Sequence, residues 1–201
     1  MKILIACEYS GRVRDAFIKK GHDAVSCDIL PTESPGPHYQ GDVFDIINNG
    51  WDMMIAHPPC TYLSYVANRV WNAPGRQQKR EQAMQFFLQL VNADIPRKAI
   101  ENPVGYPNTV FRKPDQIINP YYFGDPVRKR TCLWLDNLPV LDHATQDTLF
   151  MKKTHVRPAP AYIASSGRNV HFTEAATGKD RGKLRSKTFP GIARAMAEQW
   201  G

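Results

Sequence analysis

The sequence predicts an α/β protein in which helices cover both faces of a mostly parallel β-sheet. Short apolar runs alternate with amphipathic stretches across the first hundred residues, and this alternation is typical of parallel sheets. Residues that carry chemistry follow directly after several apolar runs, where open α/β sheets place their ligands. With 201 residues the chain is predicted to form a single domain, 1–201.

The first part of the chain begins with an apolar run that reads as a strand. Ser10 and Gly21 are a natural N-cap and a natural stop for the helix that follows it. A proline-, serine- and glycine-rich stretch then indicates a loop. The predicted elements are a strand at Lys2–Ala6, a helix at Gly11–Lys20, a strand at Asp23–Cys27, a loop at Pro31–Gln40, a helical turn after Gly41-Asp42 and a strand at Trp51–Ala56.

The rest of the chain continues the alternation and ends in a helix with one apolar side. Weak periodicity and several prolines set the segment 136–183 apart as irregular, with little predicted core. The predicted elements are a helix at Gln77–Asn92, strands at Lys98–Ile100, Gln116–Phe123 and Arg130–Leu135, and a closing helix at Pro190–Trp200.

Composition and cysteine spacing argue against a membrane-spanning protein and against a metal-binding protein. No apolar run is long enough to cross a bilayer, so we expect no membrane partner. Cys7, Cys27, Cys60 and Cys132 show neither CxxC pairing nor metal-ligand spacing. They suit reduced thiols in a cytoplasmic protein, and no metal site is predicted.

The chain is basic, with a net charge of +7. Its positive charge crowds the last quarter, at Lys152, Lys153, Arg157, Arg168, Lys179, Arg181, Lys183, Arg185 and Lys187. Such a field attracts polyanions. Because glycine, serine and aromatic residues share this region, we favour nucleic-acid binding over a merely solvated basic surface.

Cys60 follows two prolines at the end of a buried strand, and Glu101 ends the next apolar stretch. A thiol and a carboxylate at the ends of neighbouring strands form a plausible covalent catalytic pair. The alternative is a small hydrophobic cysteine that fills a turn. The Pro-Pro-Cys context and the Glu-Asn sequence at 101–102 favour catalysis.

The first strand-to-helix turn is a candidate ligand site. Gly11 allows close backbone approach, and exposed helix amides favour an anionic group. Asp28 ends the second strand, where a carboxylate commonly accepts hydrogen bonds from a ribose. Asp42 would receive a donor such as an adenine amino group. Taken singly, each acid is also compatible with a helix cap or a solvated side chain.

Together these residues resemble the DNA cytosine-5 methyltransferases, in particular compact phage-encoded relatives. The resemblance covers roughly residues 1 to 135 and 184 to 201. The motifs that carry it are His57-Pro58-Pro59-Cys60-Thr61-Tyr62-Leu63-Ser64, similar to the family's Pro-Cys loop; Glu101-Asn102-Pro103-Val104, similar to its Glu-Asn-Val motif; Arg128-Lys129-Arg130, similar to its arginine motif; Tyr9-Ser10-Gly11, similar to its cofactor turn; and Phe189-Pro190-Gly191-Ile192-Ala193, placed like its last motif.

The resemblance implies a Rossmann-like class I methyltransferase sheet, S-adenosylmethionine as cofactor, and methyl transfer to C5 of cytosine in DNA. It implies catalytic roles for Cys60, Glu101, Arg128 and Arg130. Its cofactor-binding positions are Cys7, Glu8, Tyr9, Ser10, Gly11, Asp28, Asp42 and Pro59. Its substrate-binding positions are Ser64, Asn102, Arg181 and Arg185, of which Asn102 is also expected to hold the catalytic loop.

The chain departs from the family where a DNA-reading domain belongs, because the basic segment 136–183 replaces it. We therefore expect duplex or single-stranded DNA as substrate, with a homodimer or helper subunit as a source of target recognition. Alternatives are a catalytically inactive binding or regulatory protein, an enzyme that modifies C5 in a pyrimidine nucleotide or an RNA, and a modified sulfonium donor. The altered cofactor turn, with Val13 and Arg14 at glycine positions, favours the inactive alternative.

Overall fold

The computed structural model describes residues 1–65, 72–143, 149, 157–167, 169–170 and 186–201. Its strands are β1 (Lys2–Ala6), β2 (Asp23–Asp28), β3 (His38–Gln40), β4 (Met53–Ala56), β5 (Arg97–Pro103), β6 (Gln116–Ile118), β7 (Thr131–Asp136), β8 (Tyr162–Ile163) and β9 (Asn169–Val170). The first seven form one sheet in the order β3-β2-β1-β4-β5-β7-β6. Strands β1 to β5 pair in parallel, and β7 runs antiparallel to both of its neighbours.

Helices cover both faces of this sheet, as the sequence predicts. They are α1 (Arg12–Ile18), α2 (Arg76–Val91), the short α3 (Pro107–Val110) and α4 (Pro190–Gln199). On one face, Phe17 of α1 and Met196 of α4 join the odd-numbered residues of β1 in a core. On the other face, Met84 and Phe87 of α2 pack against Leu4 and its neighbours.

The central strands are buried on both sides, which explains why the sequence shows continuous apolar runs instead of alternation. Every residue of β4 is buried, and Ile3, Leu4 and Ile5 of β1 are fully enclosed. Among the described residues, no helix combines the length and the apolar character that a bilayer crossing requires.

The predicted loop at Pro31–Gln40 is corrected at its end, because His38–Gln40 forms strand β3. This three-residue edge strand pairs with the end of β2. The sequence pattern does not predict this strand, because prolines precede it and it has only three residues. Its stability comes from pairing with β2 and not from its own propensity.

Other boundaries shift in ways that affect the site. Strand β5 extends to Pro103, so Glu101 lies within the strand and not after it. The predicted strand at Gln116–Phe123 ends at Ile118, and Pro120–Phe123 forms a 3₁₀ turn. Proline at the start of that turn cannot donate a ladder hydrogen bond, which ends the strand. Much of the predicted irregular segment 136–183 lies outside the described residues.

Candidate functional site

The candidate site lies where the strand order of the sheet reverses. Strand β1 pairs with β2 on one side and β4 on the other, so that Ala6 lies opposite both Cys27 and Ala56. In open α/β sheets, a crevice forms at the carboxyl ends of the strands that flank such a reversal. The predicted cofactor residues lie at or after the ends of β1, β2 and β3, except Pro59, which lies in the loop after β4. The predicted catalytic residues of the loop after β4 and of strand β5 lie on the other side of the reversal.

The turn after β1 is held from within by Glu8. Its carboxylate is buried and accepts hydrogen bonds from the Val13 amide at 2.7 Å, the Arg14 amide at 3.3 Å and the Ser10 hydroxyl at 3.1 Å. Helix α1 starts after Gly11. The predicted cap Ser10 accepts from the amide of the first helical residue, Arg12, at 3.4 Å, and Glu8 accepts from the next two helical amides. Of the predicted cofactor residues, Glu8 is the one whose carboxylate is committed to the turn itself.

Two backbone positions in this turn lie in the left-handed region, Cys7 with a φ of 59° and Gly11 with a φ of 72°. A side chain at Gly11 would also collide with the guanidinium of Arg14, whose Nη2 would lie 2.5 Å from the added Cβ. Positive φ in a non-glycine residue is uncommon and clusters at functional sites. The backbone conformation of the turn is therefore restricted at its first and last residues, Cys7 and Gly11.

The two acidic residues expected to bind the cofactor lie at the ends of adjacent strands. Asp28 ends β2, and its Oδ1 accepts a hydrogen bond from the Leu30 amide at 2.9 Å. Burial raises the pKa of Asp28, against the opposing effect of that backbone hydrogen bond. Asp42 accepts from the Phe44 amide at 3.0 Å, so one of its oxygens caps the 3₁₀ turn at Val43–Asp45.

The segment before α4 lies against the turn after β1. The Tyr9 hydroxyl is 3.0 Å from the Ser186 hydroxyl, and Arg12 donates to the Thr188 carbonyl at 2.9 Å. Lys187 forms an ion pair with Glu33 and lies 5.9 Å above the Tyr9 ring. The segment 186–189, which leads into the predicted last motif, therefore contacts the predicted cofactor turn. The contacting residues Tyr9 and Ser186 are 177 positions apart in the chain.

The loop after β4 begins with a sheet-like contact, since the His57 amide donates to the Ala6 carbonyl at 2.9 Å. The two prolines then direct the chain away from the sheet, with Pro58 buried and Pro59 exposed. Cys60 is partly buried. Its carbonyl accepts from the Ser64 amide at 2.9 Å, which folds the loop into a compact turn.

This loop is bound to the end of β5 and to the residues after it. The Asn102 side chain donates to the Pro58 carbonyl at 2.8 Å and so ties the Cys60 loop to β5. Ser64 and Gly105 form an isolated antiparallel bridge, and the Tyr106 amide donates to the Leu63 carbonyl at 2.7 Å. These contacts fix the Cys60 turn beside the strand that carries Glu101.

Glu101 is paired with a residue that the sequence analysis did not assign. Its Oε2 lies 3.0 Å from Nδ1 of His57, and both side chains are nearly enclosed, with exposed fractions of 10% and 5%. Burial acts to raise the pKa of Glu101. The charge of Lys129 and hydrogen bonds from His57 and Thr131 outweigh burial, so its pKa lies below the usual value.

The arginine motif contributes differently from the prediction. The charge that acts most strongly on Glu101 is that of Lys129, which lies between the predicted Arg128 and Arg130. Arg130 is exposed and acts to lower the pKa of the Cys132 thiol. The lysine was missed because the predicted motif fixes only its two arginines. Arg181 and Arg185 lie outside the described residues.

The other three cysteines are poor nucleophiles. Burial raises the pKa of Cys27 to about 12, and burial likewise raises the pKa values of Cys7 and Cys132. A thiol with a raised pKa stays protonated at neutral pH and does not attack. Burial therefore disfavours the thiolate form of Cys7, Cys27 and Cys132.

Across the described residues, no group of three or more histidine, cysteine or acidic side chains is arranged to hold a metal ion. The chain matches neither a protein-family model nor a curated protein sequence.

Proposed function

We propose that this chain is an S-adenosylmethionine-dependent methyltransferase that modifies C5 of cytosine in DNA through a covalent adduct with Cys60. One observation carries the proposal. The loop of Cys60 is joined to strand β5, which holds Glu101, by the Asn102–Pro58 hydrogen bond and the Ser64–Gly105 bridge. A nucleophile and a buried carboxylate are thereby combined at the carboxyl edge of the sheet, next to the turn expected to bind the cofactor.

The sheet supports the finer fold assignment, a Rossmann-like class I methyltransferase. Its parallel strands β1 to β5 reverse order between β1 and β4, and a final antiparallel strand, β7, lies next to β5. Sheets of this topology form a crevice at the strand ends beside the reversal, and we assign one side of it to the cofactor and the other to the group to be modified.

The residues of the first half fit S-adenosylmethionine. Asp28 ends β2 and Asp42 follows β3, so carboxylates are available for the ribose hydroxyls and the adenine amino group. The backbone of Cys7 to Gly11 would contact the rest of the cofactor. Pro59 borders this half from the loop after β4. When bound, S-adenosylmethionine supplies an electrophilic methyl group on a sulfonium and leaves as a neutral thioether.

The second half supplies what cytosine chemistry requires. C5 is a weak nucleophile until another group adds to C6. In the proposed reaction the Cys60 thiolate forms a bond to C6, and the electrons of the ring move toward N3. Glu101 hydrogen-bonds the N3 and N4 edge and stabilises the developing charge. After C5 has formed its bond to the methyl carbon, solvent water takes the C5 proton, the electrons of that bond form C5=C6, and the C6–sulfur bond breaks, which restores the ring and the thiolate.

Neighbouring residues have supporting roles in this proposal. Arg128 and Arg130 orient the base or its phosphate through their guanidinium groups. Ser64 belongs to the same turn as Cys60 and lines the substrate side. The short basic segment 136–183, with Arg181 and Arg185 close to its end, attracts DNA, and a second copy or a helper subunit completes target recognition. Four reduced cysteines suit a cytoplasmic enzyme.

The test is a comparison of Cys60→Ser with Cys132→Ser. Each change removes one thiol and keeps a small polar side chain. Nucleosides from cytosine-containing DNA, incubated with S-adenosylmethionine, are analysed by mass spectrometry for 5-methylcytosine. Because only Cys60 is proposed to form the adduct, we expect Cys60→Ser to lose about a thousandfold or more in rate, the scale of a lost covalent nucleophile. Cys132→Ser retains activity. Methyl transfer that survives Cys60→Ser contradicts the covalent mechanism.

A second candidate function is a binding module that has lost catalysis. Arg14 favours it, since its guanidinium fills the space beside Gly11 and Gly36 and stiffens the cofactor side of the crevice. Calorimetry with S-adenosylmethionine, followed by the methyl-transfer assay, separates the two. Cofactor binding without turnover selects the binding module, whereas turnover excludes it.

A further inference from the structure

Two arginines at the start of helix α2 hold the chain directly after Cys60. Arg76, the first residue of the helix, donates from Nη2 to the Thr61 carbonyl at 3.2 Å. Arg80, one turn further along, donates from Nε to the Tyr62 carbonyl at 3.2 Å. Thr61 and Tyr62 are the two residues that follow the proposed nucleophile, so the helix contacts the loop beside its reactive residue.

Arg80 also contacts the segment that follows β5. Its guanidinium lies 5.3 Å from the centre of the Tyr106 ring, and the Tyr106 amide donates to the next loop carbonyl, that of Leu63, at 2.7 Å. Arg80 is buried, with an exposed fraction of 3%. One buried side chain thereby joins helix α2, the Cys60 loop and the residues after the strand that carries Glu101.

The charges of these arginines do not stabilise the helix itself. A cation in the first turn of a helix faces the positive end of the helix dipole, and like charges four residues apart repel each other. Burial lowers the pKa of Arg80, and the charge of Arg76 acts in the same direction. What offsets this cost is a carbonyl oxygen of the loop and the face of the Tyr106 ring. The position of the arginines is therefore explained by the loop and not by the helix.

We propose that Arg80, supported by Arg76, is a positioning residue that keeps the Cys60 loop in place before substrate binds. The kinetic consequence of this inference rests on the proposed function. A nucleophile that is already held in its reactive geometry loses little conformational freedom when it attacks. The Cys60 carbonyl accepts from the Leu63 amide at 3.1 Å and from the Ser64 amide at 2.9 Å. A loop released from α2 would open this turn and displace the thiol.

The variants that test the proposal are Arg80→Met and Arg80→Gln. Both keep the first part of the side chain. The amide nitrogen of glutamine takes the position of Nε and can donate to the Tyr62 carbonyl, whereas the terminal methyl group of methionine cannot. Lys79→Met is the matched control for lost charge. Lys79 is exposed on the same turn and lies 5.8 Å from the centre of the Tyr62 ring, and among the described residues it donates to no carbonyl of the loop.

The kinetic measurement is single-turnover methyl transfer, together with the affinity for DNA. We expect Arg80→Met to be at least about tenfold slower, with a DNA affinity within about threefold of that of Lys79→Met. Arg80→Gln should keep at least about a third of the wild-type rate, because the hydrogen bond to the loop is retained. Lys79→Met should keep the wild-type rate.

Hydrogen exchange tests the loop without any dependence on catalysis. The readouts are the amides of Leu63 and Ser64, which close the turn, and the amide of Ile55 in the centre of the sheet as internal reference. We expect both loop amides to exchange at least about tenfold faster in Arg80→Met than in the wild type, and near the wild-type rate in Arg80→Gln. The exchange of Ile55 should not change.

Wild-type exchange of Leu63 and Ser64 in Arg80→Met overturns the proposal. So does an equal loss of DNA affinity in Arg80→Met and Lys79→Met with no change in rate. If Ile55 also exchanges faster, Arg80→Met has destabilised the sheet as a whole, and Arg76→Met decides by the same readouts. If the loop amides respond as expected but the wild type makes no 5-methylcytosine, the proposed function fails and the positioning of the loop stands.

Discussion

At the scale of single residues, the guanidinium of Arg14 shows how one buried cation organises a loop. It is fully buried and donates to the carbonyls of Ser34 at 2.9 Å and Pro35 at 3.2 Å, and to the Ser26 hydroxyl at 3.1 Å. It also pairs with Asp15. Buried charges persist only where their hydrogen bonds are met. The loop between β2 and β3 is thereby tied to helix α1.

Replacing Arg14 with methionine keeps most of its volume but leaves those carbonyls without a partner. Lost hydrogen bonds to a buried charge cost several kcal/mol together, so we expect the free energy of unfolding to fall by about 3 kcal/mol. Urea unfolding measures the change. Arg12→Met is the matched control, because Arg12 is exposed and donates a single bond to Thr188. If the two variants are equally stable, Arg14 does not organise the loop.

The four thiols of the chain are predicted to differ sharply in reactivity. Burial raises the pKa of Cys27 to about 12 and also raises the pKa values of Cys7 and Cys132. Brief treatment of the native protein with iodoacetamide at pH 8, followed by peptide mapping, should therefore find alkylation at Cys60 well before the others. Full reaction in urea is the control for each peptide. Alkylation of Cys7 as fast as Cys60 would contradict this order.

The lowered pKa of Glu101 predicts how stability depends on pH. A carboxyl group with a lower pKa in the folded state stabilises the protein above its unfolded pKa of about 4.5, and this contribution disappears as pH falls through the folded value. Relative to Glu101→Gln, the wild type should lose stability on acidification below about pH 4.5. The measurement is urea unfolding of both proteins from pH 3 to 7. A constant difference between them would show that Lys129 and His57 do not stabilise the carboxylate.

At the scale of elements, the sequence predicts central features better than edges. Strand β4 and helix α4 match their predictions because burial on the sheet and an apolar side leave clear patterns. The edge strand β3 was missed, since three residues pair with β2 without any pattern of their own. Helix α1 is also capped by Glu8, which precedes its first residue by four positions, so no local capping signal marks this contact.

The site was predicted to a similar extent. Cys60, Glu101 and Asn102 follow from motif and strand position, and the structure joins their segments. His57 was not assigned because a lone histidine before two prolines has no distinctive spacing. Its pairing with Glu101 depends on the register of β4 against β5, which only the folded sheet determines. Lys129 was missed for a related reason, since its effect on Glu101 is an electrostatic contact across the turn before β7.

The bridge between two loops gives a prediction at the element scale. A Cβ at Gly105 would overlap the Leu63 carbonyl oxygen, so Gly105→Ala must separate the Cys60 loop from the end of β5. We expect a loss of about 1–2 kcal/mol in stability and at least a tenfold loss of methyl transfer, since a shift of about 1 Å in a catalytic loop has such effects.

Gly21→Ala is the control for this change. No atom lies within 4 Å of its added Cβ, but its φ of 84° strains any side chain, so it should lose a similar amount of stability. Gly21 lies far from the crevice, between α1 and β2, and methyl transfer should be retained. Equal activity in the two variants would mean that the Leu63–Gly105 contact does not position Cys60.

At the scale of the whole molecule, different strands of the sheet carry the two parts of the proposed site. The residues proposed to bind the cofactor lie mainly at or after the ends of β1 to β3, and those proposed to bind and attack the base lie on β5 and on the loop after β4. Segment 186–189 returns from the far end of the chain to the turn after β1 through Ser186 and Thr188. Both halves of the proposed site therefore lie at the edge of one sheet, and the spacing of its strands sets the distance between them.

The net charge of +7 leads to the last prediction, which concerns the substrate. Binding of a polyanion releases counterions, so its affinity falls steeply as salt rises, whereas a single nucleotide shows a weak dependence. We expect the affinity for a cytosine-containing oligonucleotide to fall by about tenfold or more between 50 and 200 mM salt, with dCMP a weak competitor throughout. Fluorescence anisotropy with duplex DNA, single-stranded DNA, RNA and dCMP as competitors measures both properties. A salt-insensitive preference for dCMP would identify a nucleotide-modifying enzyme instead, because such a substrate offers too few phosphates for the positive charge of the chain to act on.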